Sequence, residues 1–143
     1  MNIQPLHTNF KCPTRGTDRS GGFDIYMPEP GELNPGAATG VLVPLGFAAE
    51  VPEGHVALLL PRSGAGAKHG VSLNNTVGVI DADYRGEWMA NMRVKNGLPF
   101  TWEAGERVLQ FVIVPVNTPE LQVVKSLDDT ERGDGGFGHT GQV

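Results

Sequence analysis

The sequence predicts an all-β protein. Seven segments rich in Val, Ile, Leu and Phe are each bounded by Gly, Pro, Asn or Asp, the composition and punctuation of strands. No segment holds an apolar 3.6-residue period beyond two turns, so amphipathic helices are not expected. The 20 glycines and 11 prolines among 143 residues are spread between the apolar segments rather than gathered in a linker, as in a chain of many short strands and turns.

In chain order the strands are "GFDIYM", "GVLVPLGFAAEV", "HVALLLP", "NTVGVI", "EWMANMRVKN", "ERVLQFVIVPV" and "ELQVVKSL". In "EWMANMRVKN", Trp88, Ala90, Met92 and Val94 alternate with polar or lesser apolar residues, which fits a strand with one buried face. "VLQFVIVPV" is apolar almost throughout and reads as a central strand, with Pro115 limiting pairing near its end. A single helical turn is expected at residues 64–68. "RGTDRSGG" and "PEPGELNPGAATG" are turn-rich connections, too short for domain linkers. After about Ser126 the apolar pattern gives way to charge and glycine. One domain over residues 1–125 with a flexible C-terminal arm over 126–143 is therefore expected.

Composition narrows the function classes. A net charge of −5 and a pI near 5.3 argue against a general nucleic-acid binder, which would present a basic face. No apolar run approaches the roughly 20 residues of a membrane span. The start "MNIQPLHTNF" lacks the basic flank and apolar core of an export signal, and the lone Cys12 fits a reducing compartment. A cytoplasmic location is expected, the host cytoplasm if the chain is viral. His7, His55, His69 and His139 are scattered without metal-ligand spacing, so no structural zinc site is expected.

Three stretches could carry chemistry. "PRSGAGAKHG", residues 61–70, offers a guanidinium fork, a hydroxyl and exposed backbone N–H groups suited to phosphate oxygens; it lacks Walker spacing and could equally be a tight surface turn. "NNTVGVIDADYRGEW", residues 74–88, runs an apolar strand into Asp81, Asp83 and Tyr84. A strand end aims a carboxylate well for general-base work, while a hairpin bonded by its aspartates is the plain alternative. "RGDGGFGHTG", residues 132–141, has five glycines in ten residues and places Arg132 and Phe137 on them. It reads as an arm that grips phosphate and stacks on a base, or as plain disorder.

Together with "GGFDIY" and "GERVLQFVIVPV", these stretches resemble, in order, the five motifs of the trimeric dUTP pyrophosphatase (dUTPase) family, spanning Gly21 to Gly141. The first motif has Gly22 where the family usually has alanine, a change expected not to affect chemistry. The resemblance implies a jelly-roll-like β-barrel of the β-clip kind and a homotrimer with active sites at subunit interfaces, closed by C-terminal arms. It implies hydrolysis of dUTP to dUMP and pyrophosphate with Mg2+, keeping uracil out of DNA and supplying dUMP for thymidylate synthesis.

Carried over by motif, Asp81 is the general base. Arg62, Ser63 and Gly64 hold the phosphates with Gln110 nearby. Asn75 and the backbone of Gly78, Val79 and Ile80 read uracil, Tyr84 packs on the deoxyribose, and Met89 lines the site. Arg132 meets the γ-phosphate, Phe137 stacks on uracil, and Gly138, His139 and Thr140 complete the arm's contacts. Asp24 touches magnesium through water. A dCTP deaminase-like or bifunctional relative, and a nucleotide-dependent regulatory module, are the competing readings; "GVIDADYRGE" fits the pyrophosphatase better than the deaminase.

Overall fold

A computed structural model of the chain describes residues 1–36 and 39–137. In these the strands are β1 (Ile3–Pro5), β2 (Gly22–Tyr26), β3 (Gly31–Leu33), β4 (Val41–Pro44), β5 (Phe47–Ala49), β6 (His55–Pro61), β7 (Val71–Leu73), β8 (Gly78–Ile80), β9 (Met89–Val94), β10 (Phe100–Trp102) and β11 (Arg107–Pro115). A helical turn, Gly64–Lys68, lies between β6 and β7. Every pairing is antiparallel. The sheets run β2-β11-β6-β8, β4-β9-β7, β1-β5 and β10-β3.

The protein is all-β, but the jelly-roll-like barrel implied by the family resemblance is corrected: among the described residues no sheet closes on itself. Closure requires every strand to have a hydrogen-bonded neighbour on both sides. Instead β2 and β8 are the edges of the four-stranded sheet, and β4 and β7 those of the three-stranded one. The prolines that end β4, β6 and β11 also remove ladder donors where a sheet would have to continue.

The open sheets share one core. Phe47, Trp88, Phe111 and Phe23 form a chain of ring contacts, each neighbouring pair 5.1 Å apart between centroids. Trp88, Phe47 and Phe111 are essentially fully buried, and such aromatic contacts dominate core energetics. Strand alternation then fixes the outer face. With Ile25, Leu59, Leu109 and Phe111 pointing inward, Asp24 and Gln110, directly paired across β2 and β11, point away from the core together.

Three local expectations differ from the structure. "GVLVPLGFAAEV" is two strands, because the chain turns at Gly46 (φ +77°), sending β4 to β9 and β5 to β1. An added Cβ at Gly46 would also press within 3.0–3.3 Å of His7 and Pro28, so glycine is required there. "ELQVVKSL" forms no strand, and Leu121, Val123 and Leu127 are exposed; its composition suits a strand, but among the described residues no neighbour pairs with it. The three-residue strands β1, β3, β7 and β10 fall below what sequence periodicity reveals. Among the described residues, no helix is long and apolar enough to cross a membrane.

Gly31 lies directly beneath the Trp102 ring, so a methyl group there would overlap it, and Trp102 is buried and donates its indole N–H to the Glu29 carbonyl at 3.0 Å. Gly31→Ala should therefore cost about 1–3 kcal/mol of stability, as overpacking does. Urea unfolding would measure this, and a loss below about 0.5 kcal/mol would show that Trp102 moves aside freely.

Candidate active site

The outer face of the four-stranded sheet builds a cleft from three separate parts of the sequence. Gly22 and Asp24 come from β2, Gln110 from the middle of β11, and Arg62 and Ser63 from the end of β6 and the start of the helical turn. These residues, with Gly16, Ser20 and Gly21 from the preceding loop, line a cavity of about 360 Å3.

Asp24 organises the cleft. Its carboxylate is largely buried, with Oδ1 2.8 Å from Arg62 Nε and Oδ2 3.2 Å from Arg107 Nη1. A buried carboxylate needs such partners, because its lost hydration must be replaced. Arg62 is held further: its backbone N–H donates to the Val108 carbonyl at 2.9 Å and Nη1 donates to the Arg107 carbonyl at 3.1 Å. Arginine has five N–H donors in all, and these contacts fix the fork at the rim of the cleft while using part of that capacity.

Arg107 is a site residue that motif reading missed. The register of β11 against β2 slips between Arg107 and Leu109, so Val108 and Leu109 are both buried although adjacent. Simple alternation would turn Arg107 the way of Leu109, into the core. The bulge re-aims it onto the Asp24 face, opposite Tyr26, whose ring lies 5.9 Å from its guanidinium. The only signal in the sequence was an arginine between Glu106 and Val108 at the start of an apolar run, which does not reveal a bulge.

Gly64 lines, together with Arg62 itself, Ala65, His69, Phe100 and Arg107, a larger open depression of about 710 Å3 that shares Arg62 with the cleft. The helical turn is anchored by buried Ala65 and by a 2.8 Å hydrogen bond from the Gly66 N–H to the Arg62 carbonyl.

The second cluster of expected site residues lies on the β7–β8 hairpin and the loop after it. Thr76 takes a left-handed conformation (φ +69°), and the Val77 N–H donates to the Asn75 carbonyl at 2.8 Å, leaving Asn75 exposed at the tip. Among the described residues β8 pairs with β6 alone, so the other backbone edge of Gly78, Val79 and Ile80 is unused by the sheet. Asp81 follows, exposed, and its carbonyl accepts the Tyr84 N–H at 3.2 Å. Tyr84 donates its hydroxyl to the Glu87 carbonyl at 3.0 Å, and its ring lies over Gly86, where any side chain would collide with it. Met89 is half-buried at the start of β9.

These two clusters do not meet in one chain. The β6–β8 register places Ile80 opposite Ala57 and Gly78 opposite Leu59, so Asp81 and Arg62 lie at opposite ends of the strand pair. Six residues of extended chain separate their levels, about 20 Å at the strand rise. A proton acceptor must come within hydrogen-bond reach of the reacting water, and no carboxylate spans that gap.

Among the described residues the arm contributes none to the lining of the cleft. Residues 117–137 carry no strand or helix. Arg132 Nε donates to the Gly135 carbonyl at 2.9 Å, and the Phe137 ring is fully exposed. Gly138, His139 and Thr140 lie outside the described residues. Among the described residues no group of three or more His, Cys, Asp or Glu is placed to hold a metal ion.

Comparison with known proteins gives a consistent result. The dUTPase family model matches residues 8–141. A deoxyuridine 5'-triphosphate nucleotidohydrolase of Salmonella typhimurium is 46% identical over 136 residues, covering 93% of this chain and 89% of the relative. The dUTPase of Staphylococcus bacteriophage 80alpha, solved with dUpNHpp, superimposes with a TM-score of 0.86 at 30% identity, covering 98% of this chain and 97% of that one. A mutant dUTPase from phage phi11 of S. aureus, solved to detail the coordination of a structural Mg(II) ion, gives 0.76 at 26% identity over 87% of this chain and 96% of that one. With the match running from before the first motif to the glycine that ends the fifth, this chain belongs to the dUTPase family.

Proposed function

We propose that the chain hydrolyses dUTP to dUMP and pyrophosphate by attack of water on the α-phosphorus. The observation that carries this reading is the convergence of "GGFDIY", "PRSGAG" and "GERVLQ" on one cleft, in a chain that belongs to the dUTPase family. Hydrolysis of a phosphoanhydride asks chiefly for positioning and for neutralisation of spreading negative charge. Arg62, Ser63 and Gln110 supply donors for the triphosphate, and Asp24 and Arg107 keep Arg62 in place. Asp81 takes the proton of the attacking water as the new P–O bond forms and pyrophosphate leaves.

The base is read by Asn75 and by the open backbone edge of Gly78, Val79 and Ile80, whose fixed donors and acceptors match uracil and mismatch cytosine. Tyr84 packs on the deoxyribose over Gly86, and Met89 lines the same pocket. Magnesium is the proposed ion. Among the described residues Asp24 is the one carboxylate lining the cleft, and both its oxygens are engaged by arginines. It therefore suits a contact through the ion's waters, with the triphosphate supplying direct ligands. When bound, the ion neutralises phosphate charge.

The separation of about 20 Å between the Asp81 and Arg62 levels supports a homotrimer in which one copy's hairpin faces another copy's cleft. The exposed Phe137 and Arg132 suit an arm, including Gly138, His139 and Thr140, that closes a site on a neighbouring copy.

Incubation with each deoxynucleoside triphosphate and magnesium should release pyrophosphate and dUMP from dUTP alone, and ammonia from dCTP would overturn the reading. In the same assay Asp81→Asn should lower kcat by roughly 10²–10⁴-fold while a non-hydrolysable dUTP analogue still binds. Truncation before Arg132 should cut turnover sharply and leave the sedimentation coefficient that of a trimer; full activity would refute the arm's role. Gly86→Ala should displace the Tyr84 ring and raise the turnover of UTP relative to dUTP, and an unchanged ratio would remove Tyr84 from sugar selection.

A further inference from the structure

We infer that Gly22 sets the position of the Gln110 side chain and thereby tunes how readily the cleft accepts triphosphate. The inference rests on the proposed dUTP site. Gly22 lies within β2, diagonal to Gln110 on the cleft face of the β2–β11 ladder. Its backbone is not in the left-handed region, so the chain does not require glycine there, and glycine within a strand weakens it and often marks a close approach.

The structure shows what approaches. A Cβ at Gly22 would sit 2.7 Å from Gln110 Oε1, closer than real contacts allow, whereas one at Gly21 would meet nothing within 4 Å. Gln110 Nε2 donates to the Pro61 carbonyl at 3.3 Å. That carbonyl only accepts, so the amide nitrogen must face it, and Oε1 is turned into the space the missing side chain leaves.

The amide is thus folded along the sheet, with one of its two N–H groups held on backbone at a long distance. To turn both N–H groups to phosphate oxygens it must leave this pose. A methyl group at position 22 abolishes the pose at little structural cost, because the atom it displaces is the mobile end of a side chain. Gly22 therefore keeps Gln110 in a resting state that competes with substrate, and the apparent affinity is reduced by the fraction of time spent there.

The test is a double-mutant cycle on affinity for a non-hydrolysable dUTP analogue, measured by calorimetry with magnesium. Gly22→Ala should tighten binding about 2- to 10-fold and lower KM in parallel, with melting temperature unchanged or raised. In the Gln110→Ala background the same substitution should change affinity less than about 1.5-fold. Weaker or unchanged binding in Gly22→Ala, or an equal effect with and without Gln110, would overturn the inference. If instead the unaltered chain neither binds the analogue nor hydrolyses dUTP, it is the proposed function that fails.

Discussion

The site depends on one buried carboxylate. Asp24 sits on the outer face of a sheet whose inner face is closed by Phe23, Ile25, Leu109 and Phe111, and it is paired with two arginines from different places. Removing either arginine would leave a desolvated charge short of its compensation, which costs more than the pair contributes when intact. The arrangement therefore constrains the chain well beyond one contact. Arg62 must follow β6 at the point where the strand ends, and Arg107 must be turned outward by the bulge at Val108. The same turn at Arg62 opens the helical segment that brings Ser63 to the cleft.

This separates what holds the fold from what holds the site. The ring series from Phe47 through Trp88 to Phe111 and Phe23 joins β5, the segment entering β9, β11 and β2, so the core fixes the strands that carry Asp24 and Gln110. Apart from Gln110, which stands mid-strand, the side chains proposed to meet substrate stand on strand ends, a hairpin tip and loops, where backbone groups are released from the ladder. A rigid sheet interior and a permissive sheet margin are supplied by the same strands.

How much of this was legible in the sequence follows from the physics of each signal. The alternation of Trp88, Ala90, Met92 and Val94 is local, and all four are buried; a period of two reports a face directly. The helical turn at Gly64–Lys68 was also legible, because Gly-Ala-Gly-Ala after Ser63 offers nothing to a sheet. Sheet closure was not legible. It depends on whether edges such as β2 and β8 find partners, and no local pattern encodes that. Nor was the end of "ELQVVKSL" as a strand, since its composition specifies an extended segment without specifying a neighbour. Within the site, motif order identified Asp24, Arg62, Ser63 and Gln110, which share the cleft. It gave no sign of Arg107, whose direction is set by a one-residue slip.

The distance between the Asp81 and Arg62 levels has a consequence for heredity. Under the proposed assembly, a copy damaged at the base and a copy damaged at the phosphate cleft each still hold an intact half, and one mixed interface can pair the two good halves. Two defective alleles would then restore partial function when expressed together, while a single defective copy would spoil a site whose other half is sound. A short chain with one fold would behave, in a cross, as two complementing units.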